Sequence, residues 1–122
     1  MSYTITPATP EGARAVAAAA ELIEPFRQRA EAADRANEMD PQNYADMQRS
    51  GLVAAFVPEV LGGFGLRSMH DWNLLLTTLA RGDGSAAIAI SMHLSATRGL
   101  AGLYHNSEAG SAPQNRAQSI LE

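Results

Sequence analysis

A segment rich in glycine and proline interrupts the apolar pattern near the middle of the chain. It runs from Val57 to Leu66 and reads Val-Pro-Glu-Val-Leu-Gly-Gly-Phe-Gly-Leu. Pro58 has a fixed φ and no N–H to donate, so the apolar run that begins at Leu52 ends there. The three glycines of the segment permit a positive φ or a close approach of another backbone segment. Because a helical pattern resumes near Ser68, the segment predicts a tight corner between two helical parts.

The composition excludes several classes of protein. The 122 residues include no cysteine, so we expect no disulfide framework and no thiolate metal site, and no other metal-ligand spacing is present. The net charge is −4 and the nine basic residues are scattered arginines, which argues against nucleic-acid binding. No apolar run approaches the roughly 18 residues of a membrane span, and no signal peptide is recognised. We therefore expect a cytoplasmic protein without a membrane span.

Abundant alanine and few β-branched residues favour an all-α fold. We expect about four to five helices, arranged as an up-down domain. We expect a flexible N-terminal arm at residues 1–8 and a single helical domain over residues 9–122. The first helix is predicted to begin after Thr9, where a capping residue precedes a proline. It extends to about Glu38, and Pro25 should kink it or split it because proline removes an internal hydrogen bond.

The remaining helices follow from apolar spacing and from capping residues. They are expected at Gln42 to Arg49 with Tyr44 and Met47 inward, at Ser68 to Gly82, at Ser85 to Tyr104, and at the chain end over residues 114–122. The buried stripe predicted for the third of the main helices is Met69, Trp72, Leu75, Leu76 and Leu79. Trp72, at its centre, is expected to be the most sensitive position to truncation. The next helix is apolar all round at Ala86 to Ile90, which predicts a buried central helix.

The corner and its flanking motifs resemble the N-terminal helical domain of the acyl-CoA dehydrogenase family. Val57 to Gly65 matches the family segment V-P-E-x-x-G-G-x-G. The flanking motifs that resemble its four helices are Asp34-Arg35, Ser50-Gly51-Leu52, Leu79 to Ser85 and Ser91-Met92-His93. The resemblance covers residues 11–110, and several motifs in order are more specific than one glycine motif would be.

This resemblance implies the N-terminal domain of an FAD-dependent oxidoreductase that dehydrogenates an acyl-CoA. In the family, a middle β-domain and a C-terminal helical bundle hold the flavin and the catalytic glutamate, and this chain matches neither. The resemblance therefore implies a domain that covers the flavin and shapes the pocket for an acyl-CoA or another small organic substrate, within a homo-oligomer. It implies no catalytic residue here and no FAD held by this chain alone. Two alternatives stay open: a flavin-dependent monooxygenase on the same scaffold, and a free-standing helical interaction domain.

Three small residues on the fourth helix are the candidate substrate-binding residues. Ala87, Ser91 and Ser95 are spaced at i, i+4 and i+8, so they share one face of the helix. Small side chains on a helix face suit either close helix packing or the wall of a pocket. The resemblance implies the second role, because this face borders the acyl chain in the family.

Two further residues have alternative roles. His93 lies about 200° round the helix from Ser91. It is either a buried histidine hydrogen-bonded to a neighbour, or it faces the flavin or substrate cavity, as the resemblance to some monooxygenases of this fold implies. Glu59, at the corner, is expected to accept hydrogen bonds from free backbone N–H groups rather than to act as a base. His70 and His105, at helix ends, are expected to be capping or surface residues.

Overall fold

Residues 4–122, which the computed structural model describes, form six α-helices and no β-strand. The helices are α1 (Pro10–Ala20), α2 (Ile23–Ala36), α3 (Pro41–Arg49), α4 (Met69–Ala80), α5 (Gly84–Asn106) and α6 (Ala112–Leu121). Two short 3₁₀ turns, Leu52–Ala54 and Glu59–Leu61, lie between α3 and α4. The all-α prediction is confirmed. The count exceeds four to five because the first predicted helix is two helices.

The break between α1 and α2 lies just ahead of Pro25. Glu21 and Leu22 separate the two helices, and Pro25 is the third residue of α2. A proline ring in a helix clashes with the carbonyl four residues earlier, which here belongs to Glu21. The first turn of a helix tolerates proline, because its N–H groups have no partner within the helix. The predicted split is therefore confirmed, and it lies three to four residues before the proline that causes it.

The core lies where α1, α4 and α5 pack together and where α6 covers α5. Its largest completely buried side chains include Phe26, Phe56, Leu75, Leu79 and Leu94. Leu75 and Leu79 confirm the predicted stripe of α4, and Trp72 and Leu76 pack against the core while only partly buried.

Three predictions of burial were wrong. Tyr44 is 44% exposed, because the buried side of α3 carries Asn43 and Met47. Met69 is 47% exposed and is the first residue of α4. The helix α5 is buried on one side only, since Ile88 is 68% exposed and Met92 is 74% exposed. The side chains of this part of α5 are thus apolar on all sides, as predicted. The rest of the chain, however, leaves one of these apolar sides exposed.

The corner folds back on the apolar segment before it through backbone hydrogen bonds. The N–H groups of Gly65 and Leu66 donate to the carbonyls of Val57 and Ala55, both at 2.9 Å. A Cβ on Gly63 would lie 2.1 Å from the carbonyl oxygen of Val57, so only glycine fits there. Its neighbour Gly62 has a φ of +94°, which L-residues with side chains rarely adopt. The glycines therefore permit the close turn that the sequence predicts.

A buried carboxylate ties the N-terminal segment to α4. Asp71 is completely buried and accepts hydrogen bonds from Ala8 N at 2.7 Å, Thr9 N at 3.0 Å and Thr9 Oγ at 2.5 Å. A Cβ on Gly12 would lie 2.0 Å from Asp71 Oδ2, so the glycine allows α1 to approach the carboxylate. Of the predicted flexible arm, residues 1–3 lie outside the described residues, whereas Thr6 O contacts His70 Nε2 at 2.9 Å.

We predict that Asp71→Asn destabilises the protein in a pH-dependent way. Burial by itself raises the pKa of Asp71, but the hydrogen bonds from Thr9 and Ala8, with His70 nearby, hold it below its ordinary value of 3.8. Because the pKa is lowered in the folded state, the carboxylate stabilises the fold above about pH 4. This contribution is lost as the pH falls through the pKa of Asp71 in the folded protein. The variant should lose about 2–3 kcal/mol at pH 7, since charged hydrogen bonds are of that order.

The measurement is urea unfolding of parent and variant between pH 7 and pH 2. The difference in unfolding free energy between the parent and Asp71→Asn should decrease as the pH falls. Asp34→Asn is the control, because Asp34 is exposed. A gap that stays constant across this range would show that the ionised form of Asp71 does not stabilise the fold.

Candidate functional site

An apolar groove between α4 and α5 contains two of the three predicted substrate residues. It has a volume of about 370 Å³ and is lined by Leu76, Thr77, Ala80, Gly84, Ala87, Ile88 and Ser91. Ala87 is 5% exposed and forms the floor, whereas Ser91 is partly buried. Ligand pockets in proteins commonly fall between about 300 and 1,000 Å³, mostly apolar with a few polar groups. The groove is within that range, and Ile88 leaves it open to solvent on one side.

The polar side chains of the groove are two hydroxyls, and each already donates its proton to a backbone carbonyl. Ser91 Oγ donates to Ile88 O at 2.7 Å, and Thr77 Oγ donates to Asn73 O at 2.8 Å. Each hydroxyl oxygen keeps lone pairs that can accept a hydrogen bond. The groove therefore offers an aliphatic surface with two acceptors and suits a small molecule that carries N–H or O–H donors.

Ser95 and His93 lie outside this groove. Ser95 is exposed on the next turn of α5 and is not among the residues that line it. His93 is on another side of α5, where it is exposed rather than buried and its Nε2 lies 2.7 Å from Val53 O. Because a carbonyl can only accept, that nitrogen donates, and His93 fastens α5 to the segment before the corner. Its contact with a cofactor stays a prediction.

Glu59 makes a different contact from the one expected. It accepts a hydrogen bond from Arg14 at 2.8 Å, and both side chains are largely exposed. Exposed ion pairs of this kind contribute about 0–1 kcal/mol to stability. The pair joins the corner to α1, so the expected hydrogen bonds from backbone N–H groups were wrong and the partner is a side chain.

A second cleft, which sequence reasoning missed, carries positive charge. It has a volume of about 280 Å³ and is lined in part by Arg67, Arg98 and His105 above Phe56 and Leu66. Burial lowers the pKa of His105, and the positive charge of Arg67 lowers it further. A signal was available, because Arg98 and His105 are seven residues apart and therefore face the same side of a helix.

A third and larger cleft, of about 470 Å³, lies at the other end of α5. Its lining includes Asp34, Asn37, Glu38 and Asp83. It has the largest volume of the three, yet it contains none of the predicted substrate residues. Asp83 is already committed to capping α5 through the N–H groups of Ser85 and Ala86. The cleft therefore gives no chemical reason to prefer it over the groove.

Metal and membrane sites are not found in the part of the chain that the structure describes. Within residues 4–122, no three histidine, aspartate or glutamate side chains come close enough to hold a metal ion. No helix in the same range is long and apolar enough to cross a membrane.

The sequence matches a family model over most of its length. Residues 10–117 match the model described as "Acyl-CoA dehydrogenase, N-terminal domain". The chain belongs to the acyl-CoA dehydrogenase family. The all-helical fold is thus that of an N-terminal domain of this family, as the sequence motifs predicted.

Curated relatives within the acyl-CoA dehydrogenase family are named nitrososynthases. The chain is 37% identical over 98 residues to the amino sugar nitrososynthase DnmZ of Streptomyces peucetius, which covers 77% of this chain and 23% of that protein. It is 34% identical over 94 residues to the L-evernosamine nitrososynthase of a Micromonospora species, covering 77% and 22%. The chain thus spans less than a quarter of the length of these two relatives.

Proposed function

We propose that this domain forms the substrate-side wall of a flavin-dependent enzyme that oxidises the amino group of a sugar. Three findings support the proposal: membership of the acyl-CoA dehydrogenase family, relatives named for nitroso synthesis on amino sugars, and the chemistry of the α4–α5 groove. The observation that carries the choice of substrate is the pair of hydroxyl acceptors at Ser91 and Thr77. This choice departs from the acyl-CoA substrate expected from the resemblance and favours the monooxygenase alternative.

The role of each groove residue follows from its position. Ala87 and Ala80 leave space for the ligand, because a methyl group is the whole of their side chains. The oxygens of Ser91 and Thr77 accept from amine or hydroxyl groups of the sugar and orient it. Leu76 and Ile88 pack against its apolar ring face and exclude water from the reacting amine.

The flavin supplies the oxidation chemistry when it is bound. The groove is open on the side of Ile88, so this domain provides one wall of a site, and we infer that other parts of a longer protein complete it and hold FAD. The exposed apolar side chains of Ile88 and Met92 support such a covering, because exposed apolar patches mark contact surfaces. A homo-oligomer, as expected from the resemblance, is compatible with the same surface.

An acyl-CoA is the second candidate substrate, and one observation favours it. The groove lining is mostly aliphatic, with Leu76, Ala80, Ala87 and Ile88, as a fatty acyl chain requires. The two candidates differ in the use of Ser91 and Thr77, since an acyl chain has no donors for these acceptors.

The test is a hybrid enzyme in which this chain replaces the matching segment of the Streptomyces peucetius nitrososynthase. We expect the hybrid to oxidise an amino sugar, with two hydrogens lost and one oxygen gained in the nitroso product, which mass spectrometry detects. The control is the same sugar with hydroxyl in place of the amine. A flavin-loaded hybrid that leaves amino sugars unchanged but dehydrogenates acyl-CoA would contradict the proposal and favour the second candidate.

A further inference from the structure

The cationic cleft at the C-terminal end of α5 has the composition of an anion site. We propose that Arg67, Arg98 and His105 bind a phosphate or pyrophosphate group. Two guanidinium groups and an imidazole meet in a cleft of about 280 Å³ whose lining includes no carboxylate. Within residues 4–122, neither arginine forms an ion pair with an acidic side chain. Their N–H donors are therefore free to bind an oxyanion.

The structure holds one of these arginines in place. The guanidinium carbon of Arg98 lies 5.8 Å from the ring centroid of Trp72. Trp72 is itself fixed by an edge-to-face contact with Phe56, at 5.4 Å between ring centroids. Stacking on an aromatic face orients a guanidinium and leaves its edge N–H groups available. Arg98 is thus positioned to donate to phosphate oxygens without losing much side-chain entropy on binding.

The charge of the cleft favours phosphate over a simple carboxylate. Arginine binds either group through two parallel hydrogen bonds. A carboxylate carries one negative charge, whereas two uncompensated guanidinium groups match a doubly charged anion. The imidazole of His105 adds a third donor. Desolvation and the positive charge of Arg67 lower the pKa of His105. A bound anion would offset the charge of Arg67 and raise this pKa.

The cleft and the apolar groove lie along the same side of α5. Ser91 and Arg98 are seven residues apart, close to two helical turns, so their side chains project in nearly the same direction about 10 Å apart along the axis. A single elongated ligand could place an organic part in the groove and a phosphate at Arg98. This link between the sites rests on the proposed function, whereas the phosphate site itself stands on the residues of the cleft alone.

The test is a titration of the 122-residue chain with inorganic pyrophosphate, followed by the NMR signal of the His105 ring. We expect a saturable shift and a raised pKa of His105 with pyrophosphate, and a much weaker response to acetate, which carries a single negative charge, at equal ionic strength. Arg98→Gln should weaken binding by about tenfold or more, since hydrogen bonds to charged groups are worth about 1.5–3 kcal/mol. Arg116→Gln is the control, because Arg116 is exposed on α6 and does not line the cleft.

A nucleoside diphosphate and FAD, titrated separately, distinguish the two sources of a pyrophosphate group. Tighter binding of the nucleoside diphosphate assigns the cleft to a substrate, and tighter binding of FAD assigns it to the flavin, and both outcomes support the site. An unsaturable response to pyrophosphate, or equal losses in Arg98→Gln and Arg116→Gln, would overturn the proposal. Because this experiment does not use the groove, its failure is distinct from failure of the hybrid enzyme.

Discussion

Replacing Phe26 with alanine is expected to lower the free energy of unfolding by about 3–5 kcal/mol. Phe26 is completely buried and is among the largest such side chains of the domain. It packs where α2 meets the turn after α4, and the fit is close, because a Cβ on Gly82 would lie 2.9 Å from the Cβ of Phe26. The neighbouring backbone of Ile23 restricts collapse around the cavity that alanine would leave. A loss of this size is a large part of the roughly 5–15 kcal/mol that stabilises a typical domain.

Urea unfolding followed by circular dichroism measures this loss, with Tyr44→Ala as the matched aromatic control. Tyr44 is 44% exposed, so its truncation should cost about 1 kcal/mol or less. Equal losses for the two variants would show that burial does not set the cost. Trp72→Ala should fall between them, since Trp72 is only partly buried and its buried Nε1 has no hydrogen-bond partner in residues 4–122.

Ser91→Phe is expected to reduce turnover in the hybrid enzyme by roughly a hundredfold or more, a loss that misplacing a substrate by about 1 Å can cause. The ring would extend from the partly buried Ser91 into the groove and occupy the space proposed for the sugar. Stability should change by about 1 kcal/mol or less, because the groove is open and, within residues 4–122, the hydroxyl bonds only to its own helix. In a packed helix interface the same ring would instead destabilise the protein by about 1–3 kcal/mol.

Local signals in the sequence predicted the helices and the corner well. The capping side chains of Thr9, Asp40 and Asp83 make the hydrogen bonds that their positions before helices indicate. Gly51 has the positive φ expected after α3. These features depend on a few adjacent residues, so the order of residue types is enough to predict them.

Contacts between distant parts of the chain could not be predicted in the same way. Asp71 is an acidic residue in the first turn of α4, and its carboxylate accepts hydrogen bonds from the backbone of Ala8 and Thr9 more than 60 residues earlier. The cleft of Arg67, Arg98 and His105 also combines segments separated by the whole of α4. Spacing along one helix relates Arg98 to His105, but the position of Arg67 depends on how the corner packs against α5.

Only two of the three candidate substrate residues line the groove, again because contacts between distant parts of the chain decide which residues do. Helical spacing places Ala87, Ser91 and Ser95 on one face, but it does not say how far along that face a neighbouring helix extends. The side chains of α4 reach Ala87 and Ser91 and leave Ser95 exposed. This difference supplies a matched pair of positions on one helix, one inside the groove and one outside it.

The most direct test of a substrate wall between α4 and α5 is kcat/KM for an amino sugar in hybrid enzymes carrying Ser91→Phe or Ser95→Phe. Melting temperatures are recorded for both. We expect Ser91→Phe to lose roughly a hundredfold in kcat/KM with a nearly unchanged melting temperature, and Ser95→Phe to stay close to the parent in both. Equal kcat/KM for the two variants would contradict a substrate wall at Ser91. Early melting of Ser91→Phe with its turnover kept would place Ser91 in a packed interface and would contradict it as well.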